Sequence, residues 1–109
     1  MKNIVKYINE SQNKNLQNGL NALKNVFNVK PEYSEDEKYI YVKLETKRTY
    51  QYIFIYDEDD DHVMIKTSMY EESYVVPNTI EDIEKFLKSY KNGNVSDNAI
   101  EVEKYIKSK

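Results

Sequence analysis

The sequence predicts an α+β fold: an N-terminal helical segment (one helix or two), a three-stranded antiparallel meander and two C-terminal helices, with the helices covering one face of the sheet. Two observations predict it. Apolar residues recur every three or four positions near both ends of the chain, and they alternate with other residues in the middle. A chain of 109 residues is long enough for one domain with a single core. We therefore predict one domain over 1–109 that is helical over 2–27, a sheet over 39–69 and helical over 79–107.

The first helical segment contains two apolar stripes separated by the polar run NESQNKN. The stripe residues recur at helical spacing: Ile4, Val5 and Ile8 in the first stripe, and Leu16, Leu20, Leu23 and Phe27 in the second. This pattern fits either one long kinked helix or two helices. Pro31 and the acidic run SEDE at 34–37 then end the helical segment and form a loop.

Three strand-like runs follow: YIYVKLE at 39–45, TYQYIFIYD at 49–57 and HVMIKTSM at 62–69. The connections between them are short, which implies two hairpins and an antiparallel meander. Alternation predicts one apolar face that packs against the helices, formed by Ile40, Val42, Leu44, Ile53, Ile55, Val63 and Ile65. Because the middle run is apolar or aromatic on both faces, Phe54 and its neighbouring tyrosines remain an alternative inward-facing set.

Two helices are predicted within 79–107. Asn78 or Thr79 can cap the first helix. The core stripe of this helix is formed by Ile80, Ile83, Phe86, Leu87 and Tyr90. The second helix is predicted to begin at Ser96 or Asp97. Its apolar side is less regular and consists of Ile100, Val102, Tyr105 and Ile106.

The net charge of −3 hides an uneven distribution. Residues 1–50 carry nine basic and six acidic side chains, whereas residues 51–109 carry seven basic and thirteen acidic ones. Ten of these acids lie between Asp57 and Glu84, with Lys66 as the one basic residue among them. Five acids are consecutive, from Asp57 to Asp61, at the predicted tip of the second hairpin. Such clustering gives information about partners rather than about the fold.

The sequence shows no catalytic machinery. It has no Cys and only one histidine, His62, so that thiol nucleophiles, thiolate metal sites and paired-histidine sites have no residues to form them. We therefore expect a protein that is not an enzyme and needs no cofactor. No apolar run approaches the length of a membrane span, and the N-terminus lacks the apolar stretch of a signal peptide, which predicts a cytoplasmic protein.

The acidic run has three possible interpretations: a metal site, a solvated turn and a surface for a basic partner. A calcium loop that starts at Asp57 would place oxygen ligands at Asp57, Asp59 and Asp61. However, His62 stands where such a loop needs Gly, and Ser68 stands where it needs a bidentate acid. The pattern therefore argues against a metal site, while the solvated turn and the partner surface both stay open.

Tyrosine supplies eleven of the fourteen aromatic residues. Five of them can line the sheet face opposite the helices: Tyr39, Tyr41, Tyr50, Tyr52 and Tyr56. Aromatic side chains on a bare sheet can stack nucleic-acid bases, but the phosphates then need a basic surround. Here only Lys43, Lys47, Arg48 and Lys66 are close, and the acidic run from Asp57 to Asp61 lies at the other end of the central strand. The sequence therefore favours a structural role, in which amphipathic tyrosine side chains cover an exposed sheet face, over direct nucleic-acid binding.

The segment TIEDIEKFLKSYKNG at 79–93, preceded by a meander with an acidic second hairpin, resembles a family of small phage-encoded anti-CRISPR proteins. That family has the order α-β-β-β-α-α and inhibits the RNA-guided nuclease of type II CRISPR systems. Its penultimate helix carries a similar apolar-Glu-Lys-Phe pattern and ends in Lys-Asn-Gly, matched here by 83–86 and 91–93. Its second hairpin and last helix supply carboxylates that occupy the place where the nuclease reads the PAM duplex. The resemblance assigns partner contacts to Asp57, Glu58, Asp59, Asp60, Asp61, Asp97, Glu101 and Glu103.

The resulting hypothesis is a non-catalytic inhibitor whose local carboxylate cluster occludes a basic nucleic-acid-binding surface of a nuclease. An immunity or antitoxin protein that neutralises a basic toxin would need the same kind of surface. A nucleic-acid-binding module that uses the tyrosine-rich sheet face is the further alternative. The chain departs from the family in its longer N-terminal region and in Lys104, Lys107 and Lys109, which mix with the acids of the last segment.

Overall fold

The computed structural model describes residues 14–109, and within this range the chain forms one six-stranded antiparallel sheet and three α-helices. The strands are β1 (Glu32–Tyr33), β2 (Tyr39–Glu45), β3 (Tyr50–Asp59), β4 (His62–Thr67), β5 (Tyr74–Pro77) and β6 (Ile100–Glu101). The helices are α1 (Gln17–Phe27), α2 (Ile80–Lys91) and α3 (Val102–Lys107), and a 3₁₀ turn over Lys14–Leu16 precedes α1. The strands lie in the sheet in chain order, so every neighbouring pair is antiparallel.

The prediction of a three-stranded meander is wrong, because three further strands extend the sheet at both edges. β1 and β6 have two residues each, and so short a segment shows no alternation that a sequence pattern can reveal. β5 consists of YVVP, in which two consecutive valines are both buried because the strand is covered on both faces. These strands are held by backbone pairing with their neighbours, and that pairing leaves little trace in side-chain periodicity.

The three predicted strand runs form the centre of the sheet as β2, β3 and β4. Ile40 pairs with Ile55, which in turn pairs with Ile65, so these side chains share one face. The predicted apolar face is confirmed: Ile40, Val42, Ile53, Ile55, Val63 and Ile65 are buried, and Leu44 is partly buried against them. Phe54 and the tyrosines beside it lie on the other face, which settles the alternative that the alternation left open.

Helices α1 and α2 pack together on the apolar face of the sheet. Leu23 of α1 and Phe86 of α2 are at most 1% exposed. Gly19 lets α1 approach the sheet closely, because a Cβ atom at this position would lie 3.1 Å from Cγ2 of Ile55. The helix ends at Phe27, and Asn28 follows in the left-handed conformation with φ of 55°. The first part of the predicted N-terminal helical segment, residues 2–13, lies outside the described residues.

Helix α2 begins as its sequence predicts. The Thr79 hydroxyl accepts a hydrogen bond from the backbone N–H of Asp82 at 3.0 Å, so Thr79 rather than Asn78 is the cap. Of the predicted core stripe, Ile83, Phe86, Leu87 and Tyr90 are buried, whereas Ile80 is exposed.

The prediction for the last helix is wrong in its start and in its apolar side. Residues 94–99 form a turn in which the buried Ser96 donates to Asn98, and Asn98 donates to the carbonyl oxygen of Asp82. Ile100 then pairs with Val75 in the sheet, and α3 starts only at Val102. Tyr105 is buried, but Ile100 and Ile106 are exposed.

The predicted placement of all helices on one face is also wrong. Side chains alternate along β4, so His62 and Met64 lie on the face opposite Val63 and Ile65. The ring of Tyr105 in α3 lies 5.0 Å from the ring of His62, measured between centroids. Helix α3 therefore covers one corner of the second sheet face, and the aromatic side chains of β2 and β3 lie on the remainder of that face together with the exposed Lys43 and Lys66.

Candidate functional site

Three acidic segments that are distant in sequence lie at the same end of the sheet. The β1–β2 turn lies next to the end of β3, because Tyr39 pairs with Tyr56. The tip between β3 and β4 lies next to the end of β5, because His62 pairs with Pro77, and α2 begins just after β5. We call this surface the acidic end and define it by its carboxylates: Glu35, Asp36, Glu37, Asp57, Glu58, Asp59, Asp60, Asp61, Glu81 and Asp82.

Backbone hydrogen bonds hold the segments of the acidic end together. The N–H of Asn78, just before α2, donates to the carbonyl oxygen of Asp61 at 2.8 Å. The N–H of Asp57 donates more weakly to the carbonyl oxygen of Lys38, at 3.4 Å. Helices α1 and α2 also start at this end, and the positive ends of their dipoles favour the nearby carboxylates. The acidic charge is therefore carried on a scaffold of fixed geometry.

A β-bulge divides the acidic run between the two faces of the sheet. Asp57 pairs with Val63, but the register then shifts, and Asp59 pairs with His62. Residues two apart in a regular strand share a face, whereas the extra residue of a bulge reverses this relationship. Asp57 consequently lies on the side of α1, and Asp59 lies on the side of α3.

Asp57 connects the hairpin to the start of α1. The side-chain amide of Asn15 donates to Oδ1 of Asp57 at 3.2 Å and reaches Oδ1 of Asp60 at 3.4 Å. The side-chain amide of Asn78 donates to the carbonyl oxygen of Asn15 at 2.8 Å. Asn18 in turn donates to the carbonyl oxygen of Asn78 at 3.0 Å. This network gives Asp57 a structural role inside the protein.

Asp59 connects the hairpin to the C-terminal helix. The Tyr105 hydroxyl donates to Oδ2 of Asp59, and Nδ1 of His62 lies 3.0 Å from Oδ1 of the same carboxylate. Nζ of Lys109 lies 3.7 Å from Oδ2 of Asp59 and 4.6 Å from the centre of the Tyr105 ring. The Tyr105 hydrogen bond holds the pKa of Asp59 well below its usual range. The same bond to a carboxylate raises the pKa of Tyr105 to about 12.

The other carboxylates of the predicted site differ in their exposure to solvent and in their partners within the protein. Asp60 and Asp61 are exposed, and Glu58 is half-buried. Asp97 pairs with Lys85 of α2, with 2.5 Å between Oδ1 and Nζ, so that its charge is offset locally. Glu101 lies in β6 opposite Tyr74, and Glu103 is exposed in the first turn of α3. The structure brings together Asp57 to Asp61 but directs Asp97 and Glu101 towards α2 and β5.

Two parts of the acidic end were not predicted as part of the site, namely the acids of the β1–β2 turn and those at the start of α2. Both acidic runs are visible in the sequence, but the first was predicted only as a loop, and the second was counted in the charge cluster between Asp57 and Glu84 without being placed beside the hairpin tip. For the β1–β2 turn, the signal that could have found it is the antiparallel order of the predicted strands, whereas the start of α2 reaches this end through β5, which was not predicted. Alternate connections in a meander lie at the same end of the sheet, so the loop at 34–38, which leads into the first predicted strand, lies at the same end as the hairpin at 58–61.

No family model, curated protein or solved structure matches the chain. Within residues 14–109, no group of three His, Asp or Glu side chains is placed to hold a metal ion. No helix in the same range has the length and apolar character needed to cross a membrane.

A second notable surface is the row of aromatic rings on the sheet face that α1 and α2 leave uncovered. We call it the aromatic row: Tyr39, Tyr41, Tyr50, Tyr52, Phe54 and Tyr56. Its rings contact one another, with 4.8 Å between the centroids of Tyr39 and Tyr56 and 5.7 Å between those of Tyr52 and Phe54. Beside the acidic end, the row forms one wall of an open groove of about 520 Å³.

Proposed function

We propose that this protein is a non-catalytic inhibitor that binds a basic surface of another protein through the acidic end and so competes with nucleic acid for that surface. The observation that supports the proposal most is the convergence of three acidic segments on one end of the sheet. A basic nucleic-acid-binding surface is shaped to hold phosphates at regular spacing. Carboxylates held at fixed positions can occupy such a surface in their place.

The carboxylates of the acidic end divide into two roles under this proposal. Asp57 and Asp59 have partners inside the protein and hold the hairpin tip in position. Asp60, Asp61 and Glu81 are exposed and are available to a partner, although Asp60 also accepts the long contact from Asn15 at 3.4 Å. Because a rigid tip loses little conformational freedom on binding, the internal contacts of the first group favour the external contacts of the second.

The first partner to test is a guide-loaded type II RNA-guided nuclease, because residues 79–93 resemble the anti-CRISPR family. The experiment is a competition assay that follows the fluorescence anisotropy of a labelled PAM-containing duplex on the nuclease complex. We expect the protein to displace the duplex at a concentration that rises steeply with salt, since the competing contacts are electrostatic.

A panel of basic toxin nucleases, assayed in the same way for displacement of labelled DNA, distinguishes a CRISPR inhibitor from an immunity protein. If the protein displaces DNA only from a toxin nuclease, the proposed mechanism of competition stands, but the partner is a toxin and not a CRISPR nuclease. If the protein displaces nucleic acid from no member of either group at low salt, the proposed function is wrong.

A further inference from the structure

We propose that the groove between the aromatic row and the β1–β2 turn binds an arginine side chain of the partner protein. The inference rests on the proposed function for the identity of the partner, and it adds a specific contact to a surface that otherwise acts through charge. The groove adjoins the acidic end, so a partner held by the exposed carboxylates presents its basic residues to it.

The walls of the groove are aromatic and fixed in orientation. Tyr39, Tyr41, Tyr52 and Phe54 line it. The rings of Tyr39 and Phe54 meet edge to face at 71°, whereas those of Tyr52 and Phe54 are stacked at 21°. Because neighbouring rings hold one another in place, little rearrangement is needed before a planar group lies against them.

The rim of the groove carries carboxylates whose positions are also fixed. Asp36 accepts hydrogen bonds from the Ser34 hydroxyl at 2.7 Å and from the backbone N–H of Lys38 at 3.2 Å, and these bonds hold its pKa below the usual range. Glu32 lies on the same face and accepts a hydrogen bond from the Tyr41 hydroxyl at 2.9 Å. The groove therefore combines ring surfaces with negative charge.

At two other places in this chain, a lysine ammonium lies close to both an aromatic ring and a carboxylate. Nζ of Lys43 lies 4.4 Å from the centre of the Tyr50 ring, in the same aromatic row, and 3.6 Å from Oε1 of Glu45. Lys109 lies between the Tyr105 ring and Asp59. The groove offers the same two groups around an open space, and none of the described residues that line it is basic.

Arginine fits this combination better than the alternatives. Its planar guanidinium stacks on aromatic faces and donates to carboxylates in the same plane, whereas the lysine ammonium is compact and strongly hydrated. A nucleic-acid base could also stack on the rings, but Glu32, Glu35 and Asp36 would repel its phosphates. A second copy of the chain would bring the same negative rim into contact with itself.

The test is an NMR titration of the isotope-labelled protein with acetyl-Gly-Arg-Gly-amide. We expect the shifts to concentrate on the ring resonances of Tyr39, Tyr41, Tyr52 and Phe54, with a dissociation constant of about 1–10 mM for so small a probe. The same peptide with citrulline, which has the shape of arginine without its charge, should bind about fivefold or more weakly.

Variants of the groove and of the tip separate this inference from the proposed function. Asp36→Asn should weaken peptide binding by about threefold to tenfold, and Phe54→Leu should do so while keeping an apolar side chain on the sheet. Asp61→Asn removes the same charge from the hairpin tip and should leave peptide binding unchanged. Because the titration contains no partner, its result is independent of the competition assay.

Four results would overturn the inference. Citrulline peptide that binds as well as arginine peptide would show that charge is not recognised, and shifts centred on Asp60 and Asp61 would place the peptide elsewhere. A ten-residue thymidine oligonucleotide that shifts the same rings at lower concentration would make the groove a base-stacking surface. Ring shifts that change with protein concentration alone would make it a contact between two copies of the chain.

Discussion

The Tyr105 hydroxyl donates a hydrogen bond to the carboxylate of Asp59, a residue 46 positions earlier in the chain. This bond joins α3 to the tip of the acidic hairpin. It gives one of the five consecutive acids a partner inside the protein, and it explains why a short helix of six residues lies on the second face of the sheet. Asp57 and Asp59 of the acidic run therefore hold segments near the two ends of the described chain, at Asn15 and at Tyr105, against the sheet.

Removing the Tyr105 hydroxyl should weaken this attachment. We expect Tyr105→Phe to lower the melting temperature by about 4–8 °C, which corresponds to the loss of one hydrogen bond of ordinary net strength in a domain of this size, because solvent screens the charge of the 34% exposed Asp59 side chain. The matched control is Tyr41→Phe, which removes a hydroxyl bonded to the exposed Glu32 and should have a clearly smaller effect. Equal shifts in the two variants, measured by circular dichroism, would contradict the structural role of Tyr105.

The same contact predicts how stability depends on pH. The pKa of Asp59 is lower in the folded than in the unfolded protein, so its contribution is complete above the ordinary value of 3.8 and is lost as the pH falls further. The pKa of Tyr105 is raised, so its contribution is present below pH 10 and is lost as the pH rises through about 12.

Urea unfolding at a series of pH values checks this dependence. In Asp59→Asn, we expect the free energy of unfolding to fall less between pH 4 and pH 2 than in the wild type. Asp61→Asn, at an exposed position on the same tip, is the control and should leave the acid dependence close to that of the wild type. If Asp59→Asn and the wild type lose stability in parallel, Asp59 is not held as the structure indicates.

The burial pattern predicts unequal costs of truncating apolar side chains. Phe86→Ala and Leu23→Ala should each lower the free energy of unfolding by about 2–5 kcal/mol, because both side chains are fully enclosed. Ile106→Ala should cost less than about 1 kcal/mol, since Ile106 is 59% exposed although the sequence pattern places it on an apolar stripe. Urea unfolding measures all three, and a large loss in Ile106→Ala would contradict the placement of α3.

Gly19 is predicted to be required by packing. Gly19→Val should lower the free energy of unfolding by about 1–3 kcal/mol, because added methyl groups would meet Ile55 and Ile40 of the sheet. Asn21→Val places the same side chain at an exposed position of α1 and controls for helix propensity. Urea midpoints that fall equally in the two variants would show that α1 does not approach the sheet at Gly19.

The parts of the fold that were predicted from the sequence are those with long side-chain patterns. Alternation over six to ten residues identified β2, β3 and β4, and the capping residue Thr79 marked the start of α2. β1 and β6 could not be found in this way, because two residues carry no period. The helix predicted from Ser96 or Asp97 failed because Ile100 fits a helical stripe as well as it fits an edge strand.

The candidate site was predicted as a charge run but not as a surface. The sequence identified Asp57 to Asp61, yet the direction of each side chain depends on the bulge between Asp57 and Asp59, which charge counting does not reveal. The position of residues 34–37 beside the tip follows from the antiparallel strand order, which a count of charges along the chain does not use. The internal partners of Asp59 come from α3, whose position followed from neither periodicity nor charge.

Charge reversal of the exposed tip tests the central claim most directly. The measurement is the affinity of Asp60→Lys/Asp61→Lys for the nuclease that the wild type inhibits, compared with that of Glu71→Lys/Glu72→Lys, which makes the same charge change at exposed residues of the β4–β5 connection at the opposite end of the sheet. We expect the tip variant to bind about tenfold or more weakly, with a shallower dependence on salt. Its melting temperature should stay close to the wild-type value, because the variant loses only the long Asn15–Asp60 contact at 3.4 Å. The control variant should retain most of the wild-type affinity. If the tip variant binds as tightly as the wild type, or if both variants lose affinity equally, the acidic end is not the surface that meets the partner.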